Sequence, residues 1–492
     1  NGGNTMLVTR VASGTFSSAT GSALTATDGG AAPFSFKTLG TGTVFNNGQP
    51  TEENSDGSLI SGSSDNIRYE IANVDTTQGT FSLLIRKGDD NTKNKTVLES
   101  FNDISLDPNS PGYIEKVIGN QTTSVGTDGT TNYVQTSGEY VNRSRYITID
   151  GVTRQTLDYI GTDGNIRVAT ASGSLPAVGS GSFGDATGDL VTGGDTYFDN
   201  IGTVSQGITV TDYATALSIL NNQDEYVFNI ISAPGLIYSQ TGHGTQIDSI
   251  ISLAESRGDC IAVVDTVAYG TTVSNAAAGV ASINSSYAAN YWPWLQMQSG
   301  TGKNVWVPAS TVIPGIYAFT DGAAAPWFAP AGLTRGGISD VIQAERKLTR
   351  TQRDTLYSKN VNPIATFPGS GISVFGQKTL QKKKSALDRV NVRRLLIDLK
   401  KFLGDTAKTL VFEQNTNATR NNFLATVNPF LESVVQRQGL YAYRVVMDDS
   451  NNTADVIDRN QLIGQVFIQP AKTVEFVVLD FTIEPTGATF TA

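Results

Sequence analysis

Apolar and polar residues alternate in short runs through the first part of the chain, and the spacing becomes helical further on. Between about Gly14 and Gly207, runs such as NIRYEIANV, FSLLIRKG and SRYITIDGV are set among Gly, Ser, Thr, Asp and Asn. That pattern predicts half-buried strands joined by long loops. Around Thr211 it changes. TDYATALSIL has a Thr-Asp helix start, YVFNIIS (Tyr226–Ser232) reads as a buried strand, about Thr245 to Arg257 as a helix stopped by Gly258, and CIAVVD as a strand ending at Asp265. This βαβ order predicts a parallel sheet covered by helices. From Ser339, SDVIQAERKLTRTQRDTLYSKN reads as a helix capped by Ser339 or Asp340 and broken by Asn362-Pro363. Two more helices, Leu387 to Gly404 and about Asn422 to Gln438 closed by Gly439, precede the strands LYAYRVVMD, LIGQVFIQP and TVEFVVLDFTI. The predicted fold class is multidomain α/β and α+β: a β-rich insertion over 14–207, a central α/β domain from 1–13 with 208–360, and a C-terminal α+β domain over 361–492.

Composition agrees with several domains, since 492 residues exceed one ordinary core. Fifty glycines and only 16% charged residues fit a loop-rich β or mixed protein. A net charge of −10 argues against a general nucleic-acid or membrane-surface binder. No apolar run approaches the roughly 20 residues that span a bilayer. Cys260 is the single cysteine, so an intrachain disulfide is impossible, and the chain opens NGGNTMLVTRV without an initiator Met, so we expect residues upstream.

His243 is the only histidine, which removes most of the equipment for acid-base catalysis and for metal binding. It sits in TGHGTQ, and His-Gly-Thr surrounds the base of subtilisin-like proteases, but no nucleophile segment accompanies it. FPGSGISVFG (Phe367–Gly376) lacks the lysine and the strand-loop-helix order of a phosphate loop and reads as a turn between strands. We expect no enzyme, cofactor or metal. A ligand at the strand ends near Ala233 and Asp265 is the enzyme-class alternative. Trp292, Trp294, Trp306 and Trp327 read as core or domain-junction packing.

The stretch LDRVNVRRLLIDLKKFLG concentrates positive charge in this acidic chain. Ser385 and Asp388 form a capping pair, Gly404 a stop, and Lys400 and Lys401 suit the negative end of the dipole. Helical placement puts Val392, Leu395, Leu396, Leu399, Phe402 and Leu403 on one core face. Opposite, Val390 and Ile397 make a narrow apolar strip flanked by Arg389, Arg393 and Lys400 on one edge and Arg394 and Lys401 on the other, with Lys382, Lys383 and Lys384 just upstream. Two readings stay open: a solvated charged face with two incidental aliphatics, or a docking seam for an acidic partner surface. The aromatic interleaving that single-stranded nucleic acid needs is missing. Arg335 and Arg389 read equally well as buried ion-pair partners or surface contacts.

The segments RVNVRRLL, FEQNTNATRNNF (Phe412–Phe423) and YRVVMDDSNNTADVIDRNQLIGQVFIQPAKTVEFVVLDF (Tyr443–Phe481) closely resemble the C-terminal part of contractile bacteriophage tail sheath proteins. APWFAPAGLTRGG, TRTQRDTLYSKNVNPI, VWVPAS and LESFNDISLDPNSPGYIEKVI look like the same family's middle. The resemblance is ordered over about Asn284 to Phe481, weaker over the βαβ region and patchy before it. About Gly14 to Asn73 and Thr122 to Gly207 have no counterpart, as outward-facing insertions do.

That resemblance implies a structural subunit of the virion tail. It would be assembled in the host cytoplasm as stacked six-subunit rings around a tail tube, and would contract to drive the tube through the host envelope. Implied partners are further copies of the chain, the tail tube, baseplate and tail terminator proteins, without direct nucleic-acid or membrane contact. The seam of Arg389, Val390, Arg393, Arg394, Ile397, Lys400 and Lys401 becomes a candidate contact with the tube or a neighbour. The tail EPTGATFTA, with Glu484, Pro485, Thr486, Gly487 and Phe490, becomes a strand donated to a small sheet in a neighbour's C-terminal domain, which is tube-facing in the family. The nearest rival is the sheath of a related contractile injection machine, pyocin-like or a secretion system.

Overall fold

The computed structural model describes residues 5–9, 11, 17–22, 24–48, 53–129, 131–187, 210–300 and 302–475. It divides into two compact units, Val8–Asn222 and Asn1–Leu7 with Gln223–Ala492.

The first unit contains β1 (Ser18–Gly21), β2 (Phe34–Thr41), β3 (Ile67–Asp75), β4 (Thr80–Lys87), β5 (Val97–Ser105), α1 (Ile114–Ile118), β6 (Thr122–Asp128), β7 (Thr131–Ser137), β8 (Ile147–Val152), β9 (Gly179–Gly184) and α2 (Val210–Leu220). Seven strands form an antiparallel sheet in the order β5-β4-β3-β9-β1-β2-β8. The alternating residues do what their spacing predicts: Phe34 and Phe36 from β2, Tyr69 from β3, Phe81 from β4 and Phe183 from β9 meet in one buried aromatic cluster.

Each outer strand of this sheet makes one main-chain bond with the segment around α1. On the β5 side the Ser105 amide donates to the Gly112 carbonyl at 2.8 Å, and on the β8 side the Ile149 amide donates to the Gly119 carbonyl at 2.9 Å. Helix α1 lies between these two bonds and buries Ile114 and Ile118 in the aromatic core. Arg86 of β4 gives two hydrogen bonds of 2.8 Å to Asp90, and both side chains are almost fully buried. The β6–β7 hairpin pairs in register from Thr122↔Ser137 to Asp128↔Thr131 and stands apart from the large sheet.

The second unit continues with β10 (Ile230–Ile237), α3 (His243–Arg257), β11 (Ile261–Asp265), α4 (Val273–Ala278), β12 (Ala288–Trp292), β13 (Leu295–Gln298), β14 (Asn304–Val307), α5 (Ile313–Ala323), α6 (Gly332–Arg335), β15 (Gln343–Ala344), α7 (Arg350–Ser358), β16 (Val361–Phe367) and β17 (Gly371–Val374). Its last elements are α8 (Val390–Lys408), α9 (Asn417–Gln436), β18 (Leu440–Val446), α10 (Ala454–Asp458) and β19 (Gln465–Pro470). The central sheet runs β10-β11-β12-β16-β17, with β10, β11, β12 and β16 parallel and β17 antiparallel. Strands β11 and β12 are buried along their whole length, as parallel strands covered on both faces must be. Helix α3 ends where expected, at Gly258 with φ 69°.

Three expectations change. Residues 339–349 are not helical; the helix is confined to α7, where the Thr349 hydroxyl accepts the Gln352 amide and the Gln352 side chain returns to the Thr349 amide. Asn362-Pro363 does not break a helix but lies inside β16, where Pro363 sits opposite Trp292 and its carbonyl accepts the Phe375 amide at 2.8 Å. The division expected at residue 361 therefore falls within the central sheet, since β16 and β17 complete it.

If the aromatic cluster holds the first unit, Phe36→Ala costs about 3–5 kcal/mol there. Native-state hydrogen exchange checks this. Amides of β2, β3 and β9 lose protection by that amount, and unchanged protection removes the cluster from its central place.

Candidate functional site

The Ser385 and Asp388 capping pair expected for α8 does not form, because Ser385 caps a separate short turn and Arg389 takes the helix's cap position without a side-chain bond. The Ser385 hydroxyl accepts the Leu387 amide at 3.1 Å, a short turn Ala386–Asp388 comes next, and the helix begins at Val390. It passes through Gly404 and ends at Lys408 instead of stopping at the glycine.

The broad face behaves as predicted, with Leu395 and Leu399 buried among Phe423, Val427, Leu431 and Val434 of α9. Phe402 stacks on Phe430 with ring centroids 3.7 Å apart. The narrow strip also exists, but it meets the chain itself. Val390 (0% exposed) and Ile397 (4%) belong to the core of the central sheet, with Ile261, Val263, Tyr291 and Tyr317. The outward-facing seam is thus not a surface: Val390, Arg393, Arg394 and Ile397 are buried, Arg389 is half-buried, and only Lys400 and Lys401 stand exposed.

Buried guanidinium groups require partners, and each has one. Arg394 donates to both carboxylate oxygens of Asp321 at 2.6 and 2.5 Å and lies 4.6 Å over the Tyr317 ring. Burial raises the Asp321 pKa even against this arginine. Asp398, one turn further along α8, is raised too, by burial first and then by the charge of Asp321. Arg393 donates to the Ser286 carbonyl at 3.2 Å and to its hydroxyl, and stacks 3.9 Å over Tyr287. Arg389 donates to Glu475 at 2.6 and 2.9 Å. Arg335 donates to the Ala329 carbonyl at 3.2 Å and lies 5.1 Å over Phe328. Sequence reasoning missed Asp321, Ser286 and Glu475 because they lie 73, 107 and 86 residues away along the chain, beyond any local spacing.

Strands β18 and β19 form a two-stranded antiparallel sheet packed on α9. Among the described residues neither pairs with a third strand, so both outer edges keep unpaired main-chain groups. Glu484, Pro485, Thr486, Gly487 and Phe490, the expected donor strand, lie outside the described residues.

The remaining candidates resolve as packing. His243 is fully buried at the start of α3, where its Nδ1 accepts the Ile237 amide at 3.0 Å. FPGSGISVFG is the β16–β17 hairpin. Trp292, Trp294 and Trp327 are buried, and Trp306 is half-buried against Tyr269. At the strand end, Asp265 is enclosed; its carboxylate accepts the Ser310 amide at 3.2 Å and the Ser310 hydroxyl. Burial pushes its pKa up to about 7, against the lowering effect of those bonds. Among the described residues no group of His, Cys, Asp and Glu is arranged to hold a metal, and no helix is long and apolar enough to cross a membrane.

This architecture, a helix-covered parallel sheet joined through α8 to a small α+β region, matches two models in tandem. The phage tail sheath protein central domain matches residues 206–380, and the phage tail sheath C-terminal domain residues 382–484. The chain belongs to the phage tail sheath family. The sheath chain is 35% identical over 291 residues to the tail sheath protein of Vibrio phage KVP40, covering 58% of this chain and 41% of that protein. It is 34% identical over 261 residues to the tail sheath protein of Enterobacteria phage T4, covering 49% and 39%. The aligned part thus spans about two fifths of these curated relatives' length. A solved sheath complex of an extracellular contractile injection system in the contracted state superposes with a TM-score of 0.47 at 25% identity, over 58% of the sheath chain and 78% of that chain. Nearly all of the first unit, up to residue 205, lies outside both matched domains.

Removing Arg394 and removing the exposed lysines should differ sharply in cost. Arg394→Ala leaves Asp321 without its partner and costs about 3 kcal/mol, the low end for a buried pair because Asp321 stays 23% exposed. Lys400→Ala/Lys401→Ala stays within about 0.5 kcal/mol, and equal losses in a denaturant titration would contradict the burial argument. For Asp265, the folded carboxyl holds its proton up to about pH 7 while the unfolded one releases it near the ordinary value of about 4. Its contribution to stability is therefore present at low pH, is lost as pH rises through that window, and is flat above it. Asp265→Asn flattens this slope in urea titrations from pH 4 to 8, and an unchanged slope assigns the dependence to other groups.

Proposed function

We propose that the chain is the structural subunit of a contractile phage tail sheath, a non-catalytic protein that polymerises as stacked hexameric rings around the tail tube. Contraction then drives the tube through the host envelope. The observation that carries this reading is the tandem order of the two sheath domains over 206–484 on a framework whose terminal sheet has open edges.

The β18–β19 sheet is the acceptor for a strand from a neighbouring copy, and residues near Glu484 to Phe490 are the donor. Each added main-chain hydrogen bond contributes about 0.5–1.5 kcal/mol net. Such links hold the lattice while the units rotate as bodies, and contraction draws on better-packed interfaces in the final state. With the seam buried, contact with the tube or a neighbour falls to the exposed lysines Lys382, Lys383, Lys384, Lys400 and Lys401. Exposed ion pairs are worth about 0–1 kcal/mol each, so such a grip is reversible. The β-rich first unit faces outward, the region around β18–β19 faces the tube, and baseplate and terminator proteins bound the polymer at its ends. The sheath is assembled in the host cytoplasm and becomes part of the virion tail.

Electron microscopy of the purified full-length protein, with and without tail tubes, tests the reading. Striated hollow tubules, of fixed length on the tube, are expected. Monomers at high concentration under both conditions would overturn it.

A further inference from the structure

The second unit contains a cavity of about 750 Å³ between the end of α4, α7 and the loop joining β17 to α8. Its wall carries Lys359, Lys378, Lys382, Lys384 and Arg389, against only two carboxylates, Asp354 and Asp388. Its base is apolar, formed by Ala277, Val280, Ile283 and Leu380. Among the described residues no carboxylate lies within ion-pair distance of the four lysines; Lys378 and Lys382 donate only to the carbonyls of Tyr357 (2.7 Å) and Ala281 (2.6 Å). The pKa of Lys378 is lowered, by burial first and by the Arg389 charge next, as in a site with surplus positive charge.

One carboxylate from a distant part of the chain has already reached the rim. Glu475 is held by Arg389, and two residues earlier the Thr473 hydroxyl accepts a hydrogen bond from the Gln377 side-chain Nε2 at 2.6 Å. Glu475 is the last described residue, so the chain runs onward from the cavity's edge. The next nine residues are FVVLDFTIE (Phe476–Glu484), apolar except for Thr482 and two acids, Asp480 and Glu484, with no Lys or Arg. Apolar and acidic residues in one segment answer an apolar base and a cationic wall.

We propose that the cavity is the docking site for Phe476–Glu484 of the same chain in the unassembled subunit, with Asp480 and Glu484 among the lysines and the intervening apolar side chains over the base. Asp480 lies five residues beyond Glu475, a reach of up to about 17 Å when extended, which spans a cavity of this size. The proposal rests on the reading of the terminal segment as a strand donor. A docked segment is withheld from a neighbour's β18–β19 sheet, so release becomes a step in assembly and only the undocked fraction joins a growing polymer.

The test uses the full-length chain as dilute monomer and tracks chymotrypsin cleavage after Phe476, Leu479 and Phe481 by mass. Lys359→Glu/Lys384→Glu alters two exposed side chains outside the hydrogen-bonded core, and cleavage is expected to accelerate about tenfold. About 0.5 M salt has the same effect on the wild type. Adding Asp480→Lys/Glu484→Lys to the lysine variant restores protection, an outcome that general destabilisation does not produce. Equal cleavage of the wild type and Lys359→Glu/Lys384→Glu overturns the proposal. So does protection that grows with protein concentration, which assigns the cavity to a second copy. Polymer formation is scored separately, on the wild type at high concentration: its absence there sinks the sheath reading, whereas docking is decided by cleavage alone.

Discussion

Helix α8 is clamped between two different cores, and that double burial is the constraint on which the larger unit depends. Val390 and Ile397 close the core of the parallel sheet, while Leu395 and Leu399 close the one shared with α9. A helix buried on two sides has little solvent left for its charged residues, yet this one carries Arg393 and Arg394 in the buried stretch. Each guanidinium is neutralised or stacked from outside the helix, by Asp321 and Tyr317 for Arg394 and by Ser286 and Tyr287 for Arg393. These bonds join α8 to α5 and to the entry of β12, so a displacement of the helix strains both cores together. The sheet and the terminal α+β region are thereby coupled mechanically although their apolar clusters are distinct.

Much of this is legible in the sequence. Two-residue periodicity marks β3, β4 and β8, and the βαβ alternation marks the parallel sheet. Even the second apolar strip of α8 is visible. Its occupant is not, because a strip of Val390 and Ile397 flanked by arginines has the same pattern whether it faces a foreign partner or a core contributed by distant residues reaching back to Ile261. Charge suggests a surface, and burial with distant partners is the alternative that no local spacing encodes. The failed helix over 339–349 has a similar origin: Gln343 and Ala344 are taken up as a strand beside β13, a tertiary pairing that outweighs helical propensity. Pro363 reads as a break because proline seldom enters sheets. It is tolerated in β16 because its carbonyl still bonds to Phe375 and the parallel partner does not need its missing amide.

Two sets of exposed lysines flank the buried part of α8 outside this network. Lys400 and Lys401 come after the buried turns of α8, and Lys382 to Lys384 precede the helix beside the cavity. Basic charge along α8 and its approach is thus in part consumed internally, by Asp321 and Glu475, and in part left exposed. An interface built from these exposed lysines alone is more sensitive to salt than one built on the whole predicted seam, because every group in it is hydrated before contact.

The two sheets with outer strands differ in a way that bears on crowding. In the first unit the segment around α1 makes one main-chain bond with each of β5 and β8, whereas among the described residues β18 and β19 pair with no third strand. Any assembly that repeats this chain brings many copies of the large sheet to high local concentration, the condition under which bare strand edges fuse indiscriminately. A partner that pins even one position of each outer strand leaves fewer free main-chain groups for a second copy to pair with, so the large sheet offers less to such fusion than an uncovered one of its size.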